Sequence, residues 1–236
     1  NNWFSTHADG RVVLYPMLAL NRRFERRGDV FTALERNGFQ VGERLDLSHH
    51  ETAGRFLEGP GSVVFAHGTR TAFACLSPRT DRAVLQELCG ALGYEAFEFE
   101  AFGGDGRAIY HTNVVLSVGP RVAMVGAEAV LDDVRRKELL GRLETHGRAV
   151  LSLGNEQLTA FAGNALELRS RRGEAVLALS ARALASLDAE QRATLEAAAR
   201  IVAPPVQTIE TCSGGSVRCM LAEVLLPRDG SAESES

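Results

Sequence analysis

The sequence predicts a mixed α/β chain built on a repeated unit of strand, strand, helix and strand. Three observations carry that expectation. Period-2 and buried-strand runs alternate with helical segments along the whole length. Acidic helix starts recur at Asp29, Asp81, Asp132 and Asp188, at spacings of 52, 51 and 56 residues. A period of about fifty residues, holding two or three strands and one helix each time, marks a repeat architecture.

The elements follow in order. Val12 to Tyr15 is a short apolar run ended by Pro16. A helix is expected from Asp29 to Arg36, stopped by Gly38. Strand-like segments follow at Phe39 to Leu47, Ser62 to Phe65 and Ala72 to Leu76. The second helix starts near Thr80-Asp81 and stops at Gly93, before the strand Tyr94 to Phe99. Val114 to Val118 and Val122 to Val125 lead to a helix from Asp132 to about His146, then a strand at Ala149 to Leu153. Leu166 to Leu168 and Ala175 to Leu179 precede a last helix from Ser186 or Asp188 to Arg200, followed by Ile201-Val202 and the breaker Pro204-Pro205. Val217 to Leu226 ends the ordered part, and Ser231 to Ser236 reads as a solvated tail. Four helices are counted, and the terminal strand has no helix after it, so a closed ring of such units would need another helix. The expectation is therefore that about one repeat lies upstream of Asn1, where the sequence opens without Met.

Composition excludes several classes. The 236 residues are 45% hydrophobic, enough for a sizeable core, and carry 26 basic against 30 acidic side chains. A net charge of -4 does not suit a binder of nucleic-acid backbones. No apolar stretch approaches the roughly 20 residues of a membrane-spanning helix, and the opening residues do not lead one to expect a charged-then-apolar secretory leader. Cys75, Cys89, Cys212 and Cys219 form no CxxC pair, which fits a reduced, cytoplasmic setting.

Three segments at predicted strand edges are polar or glycine-rich: residues 56–62 around Glu58, residues 110–114 around His111, and residues 213–220 ending at Cys219-Met220. Singly, each has a plain structural explanation. A Cys in an apolar strand is more often a small buried hydrophobe, and a lone His is more often a hydrogen-bonded structural residue. Glu58 before Gly-Pro-Gly suits a turn. His49-His50-Glu51 is set aside as a metal site, because neighbours on a strand face opposite ways and no matched cluster follows. Arg22-Arg23 and Arg26-Arg27 read as a solvated helix lead-in, and Gly103-Gly104-Asp105-Gly106 as a hairpin loop. Together the three segments say more. A thiol needs a base, a carboxylate can orient that base, and Gly214-Gly215 would allow close approach to the sulfur. In a ring of repeats such edges can converge on the central axis.

On these residues the chain resembles the pentein superfamily of guanidine-modifying enzymes. Within it, the sequence is most similar to arginine deiminase-related, amidinotransferase-like proteins of the citrulline-hydrolysing branch. The resemblance implies an α/β-propeller of ββαβ repeats about a pseudo-fivefold axis, here lacking about one N-terminal repeat. It spans residues 1–227 as one catalytic domain, truncated at its N-terminus, with residues 228–236 as a disordered tail. Carried over, it implies Cys219 as nucleophile, His111 as general acid and base, and Glu58 as support for proton transfer. Arg79 would grip the substrate carboxylate, with Arg26 as a second contact. The implied substrate is a small free amino acid, with no metal or organic cofactor, no nucleic-acid or membrane partner, and a homodimer compatible with the family.

Two departures bear on the substrate. Guanidine-binding relatives use carboxylates where this chain has Asn2 and Asn113. A guanidinium offers five donors and no acceptor, so neutral amides forfeit charge-assisted bonds of roughly 1.5–3 kcal/mol each. A ureido group has both donors and an acceptor, and a carboxamide complements it. The expectation is hydrolysis of citrulline to ornithine, ammonia and carbon dioxide. The alternatives are an arginine deiminase, a dimethylarginine hydrolase, an amidinotransferase, or a non-catalytic pentein that binds a ligand. Glu58-Gly59-Pro60-Gly61 also lacks the Asp of the family loop.

Overall fold

The computed structural model describes residues 2–228. The expected tail at Ser231 to Ser236 lies outside the described residues. Arg228, the first residue of the expected tail segment, bridges Phe39.

The first unit comprises β1 (Phe4–Thr6), β2 (Val12–Leu14), α1 (Asp29–Arg36) and β3 (Arg44–Asp46). α2 (Gly59–Ser62) opens the second unit and leads into β4 (Val63–Ala66), β5 (Thr71–Cys75), α3 (Arg82–Leu92) and β6 (Glu95–Phe99). α4 (Thr112–Val115) opens the third, with β7 (Leu116–Val118), β8 (Val122–Val125), α5 (Asp133–Leu143) and β9 (Ala149–Ser152). α6 (Asn155–Thr159) precedes β10 (Leu166–Arg169), β11 (Ala175–Ala178), α7 (Ala181–Ser186), α8 (Ala189–Ala198) and β12 (Arg200–Val202). α9 (Gln207–Ser213) and a 3-10 turn at Val217–Met220 follow.

Each unit forms its own three-stranded sheet. In all four, the first strand pairs antiparallel with the second, and the third returns parallel to the second. A parallel return demands a crossover, and the helix between second and third strands supplies it. The caps obey the sequence signals. Asp81 accepts from the N–H groups of Ala83 and Val84, and Asp132 from those of Val134 and Arg135. Asp188 and Gln191 form a capping box, and Gly93 ends α3 in the left-handed region at φ 68°.

α3 shows why the crossover helices stay. It buries Val84, Leu85, Leu88, Cys89 and Leu92 against β2, β4 and β5. Burying one such side chain is worth roughly 1.5–3 kcal/mol. A larger core joins β5 and β6 to the third and fourth units through Phe73, Phe97, Met124, Leu139 and Leu177. Trp3, Phe4 and Phe31 interlock edge-to-face in the first unit.

The first strands of the units, β1, β4, β7 and β10, face one another across the axis and line a cavity of about 540 Å³. The fifth side of that cavity is the extended segment Ala222–Leu225. The Thr6 hydroxyl joins it to the first unit, donating to the Glu223 carbonyl and accepting from the Leu225 N–H. The expected α/β architecture of repeated strand, strand, helix and strand is thus present, with four such units among the described residues.

Several elements differ from the sequence expectation. Phe39 to Leu47 holds strand only at β3. Val114 and Val115, expected to begin a strand, belong to the helical turn α4, so that strand starts at Leu116, and Cys219 sits on a 3-10 turn. α2, α6, α7 and α9 are additional, and α5 ends at Leu143 rather than near His146.

Candidate active site

The inner strands of the second and third units are entered in the same way. Glu58 caps α2 before β4, and His111 caps α4 before β7, 53 residues later. Asn164 lies a further 53 positions on, before β10, and Cys219 another 55, before the extended segment. Equivalent positions of successive units point at one axis, so residues remote in sequence meet.

Glu58 is fully buried and Oε2 lies 2.8 Å from His111 Nε2. Arg79 Nη1 donates to the same oxygen at 3.1 Å, and Arg22 Nη1 stands 3.7 Å away. Its other oxygen accepts the Leu18 N–H at 3.1 Å. Burial pushes the Glu58 carboxyl up, but the bond to His111, the Arg79 guanidinium and the Leu18 amide outweigh it and hold it down at about 2. Glu58 is therefore ionised and can only accept. The neutral His111 ring must then carry its proton on Nε2, leaving Nδ1 as the base. Burial holds His111 below its ordinary value, opposed by the Glu58 carboxylate and assisted by Arg79 and Arg22.

Gly61 makes this packing possible. A β-carbon there would stand 2.8 Å from the Asn2 amide nitrogen and 2.9 Å from His111 Nδ1. Asn2 is buried, and its Oδ1 has no hydrogen-bond partner. Asn113 is buried too, donating to the Pro60 carbonyl at 3.2 Å. Its amide reaches the sulfur of Cys219, with Nδ2 at 3.8 Å and Oδ1 at 4.0 Å from Sγ.

The thiol loop is fixed on both sides. Gly214 ends α9 at φ 67°, and its carbonyl accepts the Tyr110 hydroxyl at 2.7 Å. Ser216 donates to buried Glu210 at 2.6 Å, while its carbonyl accepts the Cys219 N–H. A β-carbon on Gly215 would lie 3.3 Å from Sγ, so glycine keeps that approach open. Cys219 is half-buried, whereas Cys75 and Cys89 are buried, with thiols pushed up by burial to about 12 and 11.

The structure thus brings Glu58, His111, Arg79, Asn2, Asn113 and Cys219 together. Arg26 stands apart from the cluster. Its guanidinium is bound to Glu51 and to the Tyr15 carbonyl. Arg22, read from sequence as solvated, takes the place at Glu58 instead. Asn164 was not singled out, although its 53-residue register with His111 was readable. The premise that set His49-His50 aside also changes. These residues lie on a 3-10 turn at Ser48–Ala53, with rings 4.2 Å apart. His50 Nε2 is 2.7 Å from Glu87, and His49 Nδ1 is 3.0 Å from the Asp46 carbonyl. Among the described residues, this is the group of His and carboxylate side chains whose ligand atoms come close enough for a metal.

The site therefore holds a buried carboxylate–imidazole pair and, joined to it through Asn113, a half-buried thiol. The family profile of N,N dimethylarginine dimethylhydrolase, eukaryotic, matches residues 1–226, and the chain belongs to that family of arginine-modifying penteins. Solved structures agree on the fold. ArgZ, an arginine dihydrolase from the ornithine-ammonia cycle in cyanobacteria, matches at TM-score 0.72 and 16% identity over 96% of this chain. This chain spans 32% of that protein's length. The N-terminal domain of ArgZ, bound to substrate, matches at TM-score 0.69 and 16% identity, over 95% of this chain and 75% of that one. A dimethylarginine dimethylaminohydrolase adduct matches at TM-score 0.61 and 10% identity, over 93% and 75%. No curated protein sequence matches. No helix among the described residues is long and apolar enough to cross a membrane.

Proposed function

We infer that the chain is the catalytic domain of a cysteine-dependent hydrolase acting on the ureido or amidine carbon of a free amino acid, with citrulline the favoured substrate. The observation that carries the reading is Asn113. Its neutral amide lies against Sγ of Cys219, where a guanidinium substrate would be better served by a carboxylate. Asn2, with an unpartnered buried Oδ1, supports the same choice.

In the proposed sequence, the Cys219 thiolate attacks the ureido carbon. The C–N bond to the ornithine nitrogen breaks, and His111 delivers the proton that nitrogen requires. A carbamoyl group remains on sulfur. His111 then takes a proton from water, hydroxide adds to the carbonyl, and the C–S bond breaks. The resulting carbamate falls to ammonia and carbon dioxide. Glu58 keeps the ring tautomer and stabilises the imidazolium in each half. Arg79, part-exposed and over the Tyr110 ring, is the candidate anchor for the substrate carboxylate, with Arg22 beside it. The required chemistry uses no metal or organic cofactor.

A second reading keeps the site and takes arginine or a methylated arginine. It is supported by what the matched family and ArgZ are named for. The deciding assay presents citrulline, arginine and methylated arginines side by side and counts ornithine, ammonia and citrulline. The first reading expects most ornithine from citrulline, none with Cys219→Ala, and a shift toward arginine of roughly 10- to 100-fold with Asn113→Asp. Preference for arginine by the unchanged protein would sink it.

A further inference from the structure

Asn164 is fully buried in the loop between α6 and β10. Its side-chain nitrogen donates to the Asn113 carbonyl at 2.8 Å and stands 3.3 Å from Cys219 Sγ. That is nearer to the sulfur than either amide atom of Asn113. The orientation of the amide is settled by chemistry. A backbone carbonyl can only accept, so the atom facing Asn113 must be the NH₂, and its second N–H is free to reach the sulfur. The amide oxygen, by contrast, is buried without a partner. An amide serving only to fill space would be satisfied at both ends; this one keeps its donors engaged at the expense of its acceptor, a pattern that belongs to functional sites.

The loop is built to hold that position. Phe161 adopts φ 65°, unusual for a residue with a side chain, and its carbonyl accepts the Asn164 N–H at 2.9 Å. A β-carbon on Gly163 would lie 2.4 Å from the Val114 carbonyl, so glycine alone permits this contact with α4. Asn164 is thereby locked to the segment that carries His111 and Asn113.

We propose that Asn164 positions Cys219 and stabilises negative charge on its sulfur, through one amide N–H pinned to the Asn113 carbonyl and the other directed at Sγ. The proposal rests on Cys219 being the reactive thiol, but not on which amino acid is turned over. As thiolate forms, the N–H···S contact becomes charge-assisted and strengthens. As the acyl group leaves, the same donor receives the returning charge.

Thiol chemistry tests this without any substrate. In a Cys212→Ser background, which removes the exposed thiol, the rate of Cys219 alkylation by iodoacetamide is followed across pH by peptide mass spectrometry. Asn164→Ala is expected to slow alkylation at neutral pH about tenfold. The isosteric Asn164→Asp, which sets a carboxylate beside the sulfur, should slow it further. Trp3 fluorescence and thermal melts check that the fold is kept, and Asn164→Ser, which retains a donor, should recover part of the rate. Unchanged alkylation in folded Asn164→Ala or Asn164→Asp overturns the proposal, as does a Cys219 in the unchanged protein no more reactive than a free thiol. If no amino acid is turned over yet alkylation still depends on Asn164, the substrate reading fails and this one stands.

Discussion

Two buried histidines, His7 and His111, occupy comparable depths in the ring, at 6% and 4% exposure, and both are held below their ordinary value by burial. Their partners differ. His7 Nε2 meets the Ser5 hydroxyl at 2.8 Å, and Ser5 in turn meets Tyr15 at 2.8 Å, a neutral chain beside the axial cavity. His111 meets an ionised carboxylate flanked by two arginines. Burial alone therefore makes a neutral structural imidazole. Burial with a fixed carboxylate makes a base of defined tautomer that can accept a proton and keep it.

The comparison breaks or sharpens under substitution. His111→Ala should lower kcat by about 10²–10⁴-fold, read from ornithine release; a loss under about tenfold would place the base elsewhere. Glu58→Gln should lower kcat less, by roughly 10–10³-fold, and also move the pH profile. Because Glu58 opposes the burial of His111, its loss leaves burial unopposed. The acid limb of kcat/KM, already below pH 6.5, should then shift further down, and an upward shift would contradict the assignment.

His7→Gln is the smallest change for activity, within about twofold on kcat, and its signature is stability. His7 titrates at about 4 when folded against 6.5 when unfolded, because burial disfavours its charge. As pH falls below 6.5 the unfolded chain takes up the proton first, so stability drops until about pH 4. The substitution should flatten that fall, worth up to about 3 kcal/mol at pH 4 in urea unfolding. Glu58 acts lower on the scale. Its contribution is full above about 4.5 and is lost as pH falls through about 2.

Much of this was legible in the chain. The acidic starts at Asp81, Asp132 and Asp188 became caps because a short carboxylate reaches the first free N–H groups, a local effect that sequence reports well. Glu58, His111 and Cys219 stood out only as strand-edge oddities that a ring of repeats could bring together; the roles proposed for them came from the family resemblance. What sequence concealed was set by contacts between units. Arg22 and Arg26 sit four residues apart in one basic run, yet Glu51 captures one and Glu58 draws the other. Val114 and Val115 read as the start of a strand, but they complete a one-turn helix, Thr112–Val115, that buries Asn113 directly after the His111 cap. Asn164 carried no local sign at all; only its spacing from His111 marks it.

The central claim is that Cys219 carries the ureido carbon during turnover. Citrulline labelled at that carbon, mixed with the protein and quenched in acid on the millisecond scale, measures this directly. The account predicts label on the peptide containing Cys219, appearing before free carbon dioxide and absent in Cys219→Ala. Ornithine released at full rate with no label ever reaching that peptide would contradict it.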